Sequence, residues 1–163
     1  MKKYFFILMI ITAIFSSCTT KSNKDMAKMD NHNMKHDTAC NKDSSCCDGV
    51  FIHISHSYDD PHRVVMPLQM ATMMAMDKNV LVYFDIKGIE VVLKNAKDIN
   101  YPTFKSAQTS LKELISKGVT VFACPGCMKA AGKTVDDLIP GVKMAEKEAF
   151  FNFTKGRIIT LDY

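Results

Sequence analysis

Residues Val80-Leu81-Val82-Tyr83-Phe84 are five consecutive apolar or aromatic positions, closed by Asp85-Ile86-Lys87-Gly88. A run that short is strand-sized, and with no polar side it must be covered on both faces. That is the pattern of a strand inside a parallel sheet. Comparable runs occur at Val50-Phe51-Ile52-His53-Ile54-Ser55, at 119–123 and at 157–161, with helical patterns between them. Strands alternating with helices predict an α/β fold: a single small domain, 49–163, whose mostly parallel sheet has helices on both faces. In such sheets ligands gather at the carboxyl ends of the strands.

The helical segments carry their own signals. Asp60-Pro61 offers an N-cap and a proline for the first turn, ahead of an almost continuously apolar helix over 64–76 with Pro67 in its early turns. An apolar surface that wide implies burial on two sides, against the sheet and toward a neighbouring subunit. Met66, Met70, Met73, Met74 and Met76 at helical spacing read as adaptable core rather than as a metal box. Residues 103–117 form an amphipathic pattern around Leu111, Leu114 and Ile115, with Gly118 placed to end the helix. A short helix is expected from Cys124 to near Gly132, another turn from Thr134 or Asp136, and a helix over 144–154. The segment 89–94 fits strand or helix equally.

Ahead of the domain the composition changes twice. Lys2 and Lys3 precede an apolar run over 4–15, and Ser16-Ser17 precede Cys18. That run falls short of the roughly 20 residues needed to span a bilayer. It reads as a signal peptide, 1–17, and Ser16-Ser17-Cys18 resembles a lipoprotein cleavage site at which Cys18 becomes lipidated. The expected location is therefore outside the cytoplasm, anchored to a membrane and facing the periplasm or the cell exterior. Without residues 1–17 the chain keeps 19 basic and 17 acidic side chains. Such a balance gives no nucleic-acid footprint, which needs basic residues clustered on one face.

Residues 18–48 are rich in Lys, Asn, Asp, Ser and Thr and nearly free of aliphatics. Such a segment cannot bury enough apolar surface to offset its ordering entropy, so a disordered tether is expected. It also holds Met26, Met29, His32, Met34, His36, Cys40, Cys46 and Cys47. Thioether, imidazole and thiolate are soft ligands suited to Cu(I), and His32, Met34 and His36 are the candidate ligands.

The chemistry of the domain concentrates in Cys124-Pro125-Gly126-Cys127, at the end of the strand 119–123. A thiol at a helix start ionises more easily, and a second thiol one turn later can resolve a disulfide or persulfide formed on the first. Four readings of this motif remain open. A thioredoxin-type oxidoreductase has the spacing, but only 36 residues follow Cys127 here. A zinc site would need two more ligands. Two cysteines packed in a turn, or joined by a disulfide, would be purely structural. The fourth reading is a sulfur-relay nucleophile. His53, His56 and His62 cluster around the end of the first strand. If that strand neighbours the one ending at Cys124, an imidazole could hold the thiolate, with His56 the best placed.

The chain also resembles the DsrE/DsrF-like family of sulfur-transfer proteins over 50–163. The resemblance lies in Asp60-Pro61-His62-Arg63 opening an apolar helix, Val80–Phe84, Lys87-Gly88-Ile89 and the run from Leu111 through Gly118 to Cys124. Gly132 and Leu138-Ile139-Pro140-Gly141-Val142 extend it. It implies a compact α/β domain that assembles as a homo-oligomer, a trimer or hexamer. It further implies that Cys124 carries sulfane sulfur as a persulfide received from a donor protein or small sulfur compound, with Cys127 as resolving thiol and no cofactor required. The alternative from a different class is a non-catalytic lipoprotein that binds soft metal of the copper type.

Overall fold

The computed structural model describes residues 48–163. The signal-peptide and tether expectations, and with them Cys18, His32, Met34, His36, Cys40, Cys46 and Cys47, lie outside the described residues. Five strands form one sheet: β1 (Gly49–Ile54), β2 (Asn79–Phe84), β3 (Thr120–Ala123), β4 (Val142–Met144) and β5 (Ile158–Asp162). Their order is β4-β3-β2-β1-β5 and every neighbouring pair is parallel. Four α-helices accompany them: α1 (His62–Met74), α2 (Ala107–Ser116), α3 (Pro125–Ala130) and α4 (Lys147–Phe153).

Strand alternation sorts the two faces of the sheet. Val50, Ile52 and Ile54 of β1, Val80, Val82 and Phe84 of β2, and Val121 and Ala123 of β3 point to one side. They form the core with Val64, Val65, Leu68 and Ala71 of α1 and with Ala107, Leu111 and Leu114 of α2. The other face carries Phe51, His53, Leu81 and Tyr83, and Phe150 of α4 lies edge-on over Phe51 and Tyr83 at centroid distances of 5.4 and 5.7 Å. Helices therefore flank both faces, as the alternating pattern predicts.

Local chemistry explains most element ends. Ser106 caps α2 by accepting from the Thr109 N–H at 3.3 Å, and Gly118 leaves the helix with φ +75°. The chain enters α1 through Pro61, and the Asp60 carboxylate accepts from the Arg63 N–H at 3.3 Å. Thr134 and Asp137 cap the single turn Val135–Asp137 reciprocally. The ambiguous segment after β2 resolves as a buried 3-10 turn, Gly88–Val92.

Three expectations need correction. The methionines of the segment 64–76 are not uniformly core: Met73 is 58% exposed, because the buried side of α1 is already filled by Val64, Val65, Leu68 and Ala71, and Met76, past the end of α1, is 81% exposed. Residues 142–144 form strand β4 rather than leading into a helix. Thus α4 begins at Lys147, after β4 has completed the sheet edge beside β3. Finally, β1 does not neighbour β3, since β2 lies between them.

Candidate functional site

The turn that follows β3 presents two sulfurs at the carboxyl end of the sheet. The Cys124 backbone N–H donates to the Phe84 carbonyl at 2.8 Å, which ties the start of α3 to the end of β2. The Cys124 side chain then serves as the N-cap of α3, its Sγ accepting from the Cys127 N–H at 3.5 Å. Pro125 fits the first helical turn, where no backbone donor is needed. Both cysteines are free thiols and partly exposed, and Pro125 and Gly126 between them are exposed. The turn that carries the two sulfurs therefore lies at the surface rather than in the core.

The two thiols differ in acidity. Burial pushes the Cys124 thiol up. That push is outweighed by the Tyr83 hydroxyl, by the N–H and S–H of Cys127 and by the Gly126 N–H, so the net pKa is lowered. Burial likewise pushes Cys127 up, and donation to Cys124 adds to it; the Ile86 N–H acts the other way but does not prevail, so its net pKa is raised. Of the two thiols, Cys124 is thus the one on which an anion is favoured. Because α3 has only six residues, the stabilisation comes from these individual donors rather than from a long helix dipole.

Two further elements complete the site. Ile86, in the turn after β2, has φ +47°, a left-handed conformation that is costly for a β-branched residue. Its N–H donates to Cys127 Sγ at 3.1 Å. Tyr83, next to last in β2, is in register with His53 on β1 and Phe122 on β3. Its phenol is held well above its usual range, first by burial and then by Cys124 and the nearby Asp85 and Cys127, so it remains a hydrogen donor.

A charged row runs on from Tyr83 across the same face. His53 Nε2 lies 2.8 Å from Asp85 Oδ1 and Nδ1 lies 2.9 Å from Asp162 Oδ1, Asp162 being the register partner of His53 on β5. The Nε2–Asp85 contact is close but poorly aligned for a hydrogen bond, and neither buried atom has an aligned partner. With a carboxylate at each nitrogen the imidazolium is the form that satisfies both. Burial lowers the His53 pKa, but Asp85 and Asp162 prevail and the net change is upward.

Cys124 and Cys127 are brought together as the spacing predicts. His56 is not: its Nδ1 lies 3.1 Å from Asp59 Oδ2 and its Nε2 accepts from Arg63 at 3.3 Å. Both ring nitrogens are engaged in the loop, and strand β2 separates β1, which this histidine follows, from β3. His62 stacks on Tyr101 at 4.5 Å. Asp59 is held below the usual carboxylate range by the Ser57 N–H first, against burial, and then by Lys87 and His56. It ties the β1 loop to the turn after β2 through Lys87 Nζ at 3.1 Å. Among the described residues no three His, Cys, Asp or Glu side chains gather as a metal shell. Tyr83 and Asp85 were not among the residues singled out from sequence. The available signal was that Tyr83 carries the one hydroxyl in an otherwise hydrocarbon run, two residues ahead of an acid.

The fold has known counterparts. The ychN protein from E. coli aligns with 70% of this chain and 99% of its own, at 17% identity and TM-score 0.58. The protein of unknown function MTH1491 from Methanobacterium thermoautotrophicum aligns with 69% of this chain and 98% of its own, at 22% identity and TM-score 0.55. Both likenesses concern the fold. No curated protein matches the chain significantly. The model of the DsrE/DsrF-like family matches residues 48–160, from the residue before β1 to the middle of β5 and across the whole cysteine site. With nearly all of the folded chain inside that match, this protein belongs to the DsrE/DsrF-like family.

Proposed function

We propose that this protein is a sulfur carrier or sulfurtransferase-like protein whose Cys124 holds sulfane sulfur as a persulfide. The observation that carries the reading is the placing of the two sulfurs: a free, partly exposed Cys124 after β3 whose Sγ caps α3 by accepting from the Cys127 N–H, with the anion favoured on Cys124 over Cys127. The Cys124 thiolate attacks the outer sulfur of a persulfide or polysulfide donor. A new S–S bond forms on Cys124, the donor's S–S bond breaks, and the electron pair leaves on the donor's thiolate. An acceptor thiolate attacking that outer sulfur regenerates Cys124. Alternatively, Cys127 attacks Cys124 Sγ and releases hydrosulfide.

The donor and acceptor are other sulfur-bearing proteins or small sulfur compounds, and assembly as a trimer or hexamer is part of the reading. So are export and anchoring through lipid on Cys18, for which the support is the N-terminal sequence. Intact mass spectrometry after polysulfide exposure tests the central step. One added sulfur is expected on the wild type and on Cys127→Ser, and none at this site in Cys124→Ser. Equal uptake by Cys124→Ser, or a tightly held metal that only this variant loses, would contradict it.

A further inference from the structure

We infer that His53, clamped between Asp85 and Asp162, is a positioning residue that governs the second sulfur of the site: by offsetting the Asp85 charge it permits Cys127 to ionise and release sulfur from a loaded Cys124. The inference rests on the sulfur-carrier reading and adds to it how release is controlled.

The geometry is a continuous row. Asp162, His53 and Tyr83 occupy matching register positions on β5, β1 and β2. Asp85 follows β2 directly, and its Oδ1 lies 2.8 Å from His53 Nε2. These groups stand at the carboxyl ends of strands whose connections run over opposite faces of the sheet, the place where open α/β sheets hold their chemistry. The groups facing the His53 ring are Asp85 and Tyr83 from the β2 side and Asp162 from β5, while Phe51 supplies apolar cover.

Asp85 is the pivot. Its side chain is only 20% exposed, and it directly precedes Ile86, whose N–H reaches Cys127 Sγ at 3.1 Å, so its charge lies close enough to act against an anion on Cys127. While His53 is an imidazolium, part of that charge is offset within 2.8 Å. Once His53 is neutral, the whole carboxylate charge opposes an anion on Cys127. The Ile86 N–H at 3.1 Å is already aimed at Cys127 Sγ, ready to stabilise that anion when it forms. Asp162 is 69% exposed and holds the far side of the ring, which keeps the imidazolium populated.

Cys127 first gives its proton to water. The resulting thiolate attacks Cys124 Sγ, the Cys124–sulfane bond breaks, and hydrosulfide leaves with the electron pair. Cys127 and Cys124 end as a disulfide, and the sulfane sulfur has been reduced. An external thiol reductant resets the pair, being itself oxidised to a disulfide.

The test reads Cys127 alone, in the full-length Cys124→Ser protein, by site-resolved alkylation with iodoacetamide across pH. Adding His53→Asn is expected to raise the pH of half-maximal rate and to slow alkylation at neutral pH by roughly threefold, the scale of a partly screened charge interaction. Adding Asp85→Asn is expected to do the opposite, and the combined variant should recover the Cys124→Ser rate or exceed it. An unchanged profile in His53→Asn would overturn the inference. So would a slowing that Asp85→Asn fails to reverse, since that outcome marks ordinary structural damage. In parallel, hydrosulfide release is followed from protein loaded with polysulfide, with Cys124 present. Equal loading with slower release in His53→Asn is expected, and equal release would count against the role. If the wild type never takes up sulfur, the carrier reading fails while the alkylation series still decides what His53 does.

Discussion

The reactivity of Cys124 is a property of its neighbours more than of its own position. Burial alone would make it a poorer acid, and three donors besides the Cys127 thiol reverse that. The Tyr83 hydroxyl is the strongest of them, so Tyr83→Phe should slow site-resolved alkylation of Cys124 at neutral pH and move its half-maximal rate to higher pH. A hydrogen bond to a charged acceptor contributes roughly 1.5–3 kcal/mol, which sets the upper end of the effect at about a hundredfold. An unchanged rate would mean that the backbone donors suffice. Of this site, the sequence makes the two cysteines legible, because C-P-x-C after a strand is a local signal. His56 is misleading for an equally physical reason. Its partners Asp59 and Arg63 are local, but whether a β1 loop reaches Cys124 depends on strand order, which no local pattern encodes.

At the level of elements, the turn after β2 is the tightest joint near the site. Gly88 donates its N–H to the Ser55 carbonyl at 3.2 Å, and a Cβ there would overlap the Ile54 carbonyl oxygen. Neither partner can retreat, since Ile54 is paired within the sheet and fully buried. Gly88→Ala is therefore expected to destabilise the domain by about 2 kcal/mol, through overpacking against fixed backbone. A urea midpoint shift at constant slope would show it, and an unshifted midpoint would mean that the turn can slide. The same turn carries Asp85 and the strained Ile86, so the variant should also disturb alkylation of Cys127. Periodicity revealed β1, β2, β3, β5, α1 and α2 because each spans enough residues to show a pattern. It missed β4, whose three residues include the exposed Lys143 and carry no recognisable alternation.

For the molecule as a whole, the sheet order explains why one face is chemical and the other structural. Helices α1 and α2 seal the face formed by Val50, Ile52, Val82 and Val121, while the opposite face keeps His53, Tyr83 and Asp162 in a row, with the ring of Phe150 over Tyr83. The α/β class was legible from alternation, whereas the edge on which β5 joins was not. That edge decides that Asp162 meets His53. Cys124 is the sulfur of this arrangement on which the anion is favoured. The most direct test of this is the pH dependence of Cys124 alkylation in the otherwise wild-type chain, resolved from the other cysteines by peptide mass spectrometry. Half-maximal reactivity is predicted below the ordinary thiol value of 9.0, with Cys124 modified ahead of Cys127 throughout the neutral range. A midpoint at or above that value, or earlier modification of Cys127, would contradict it.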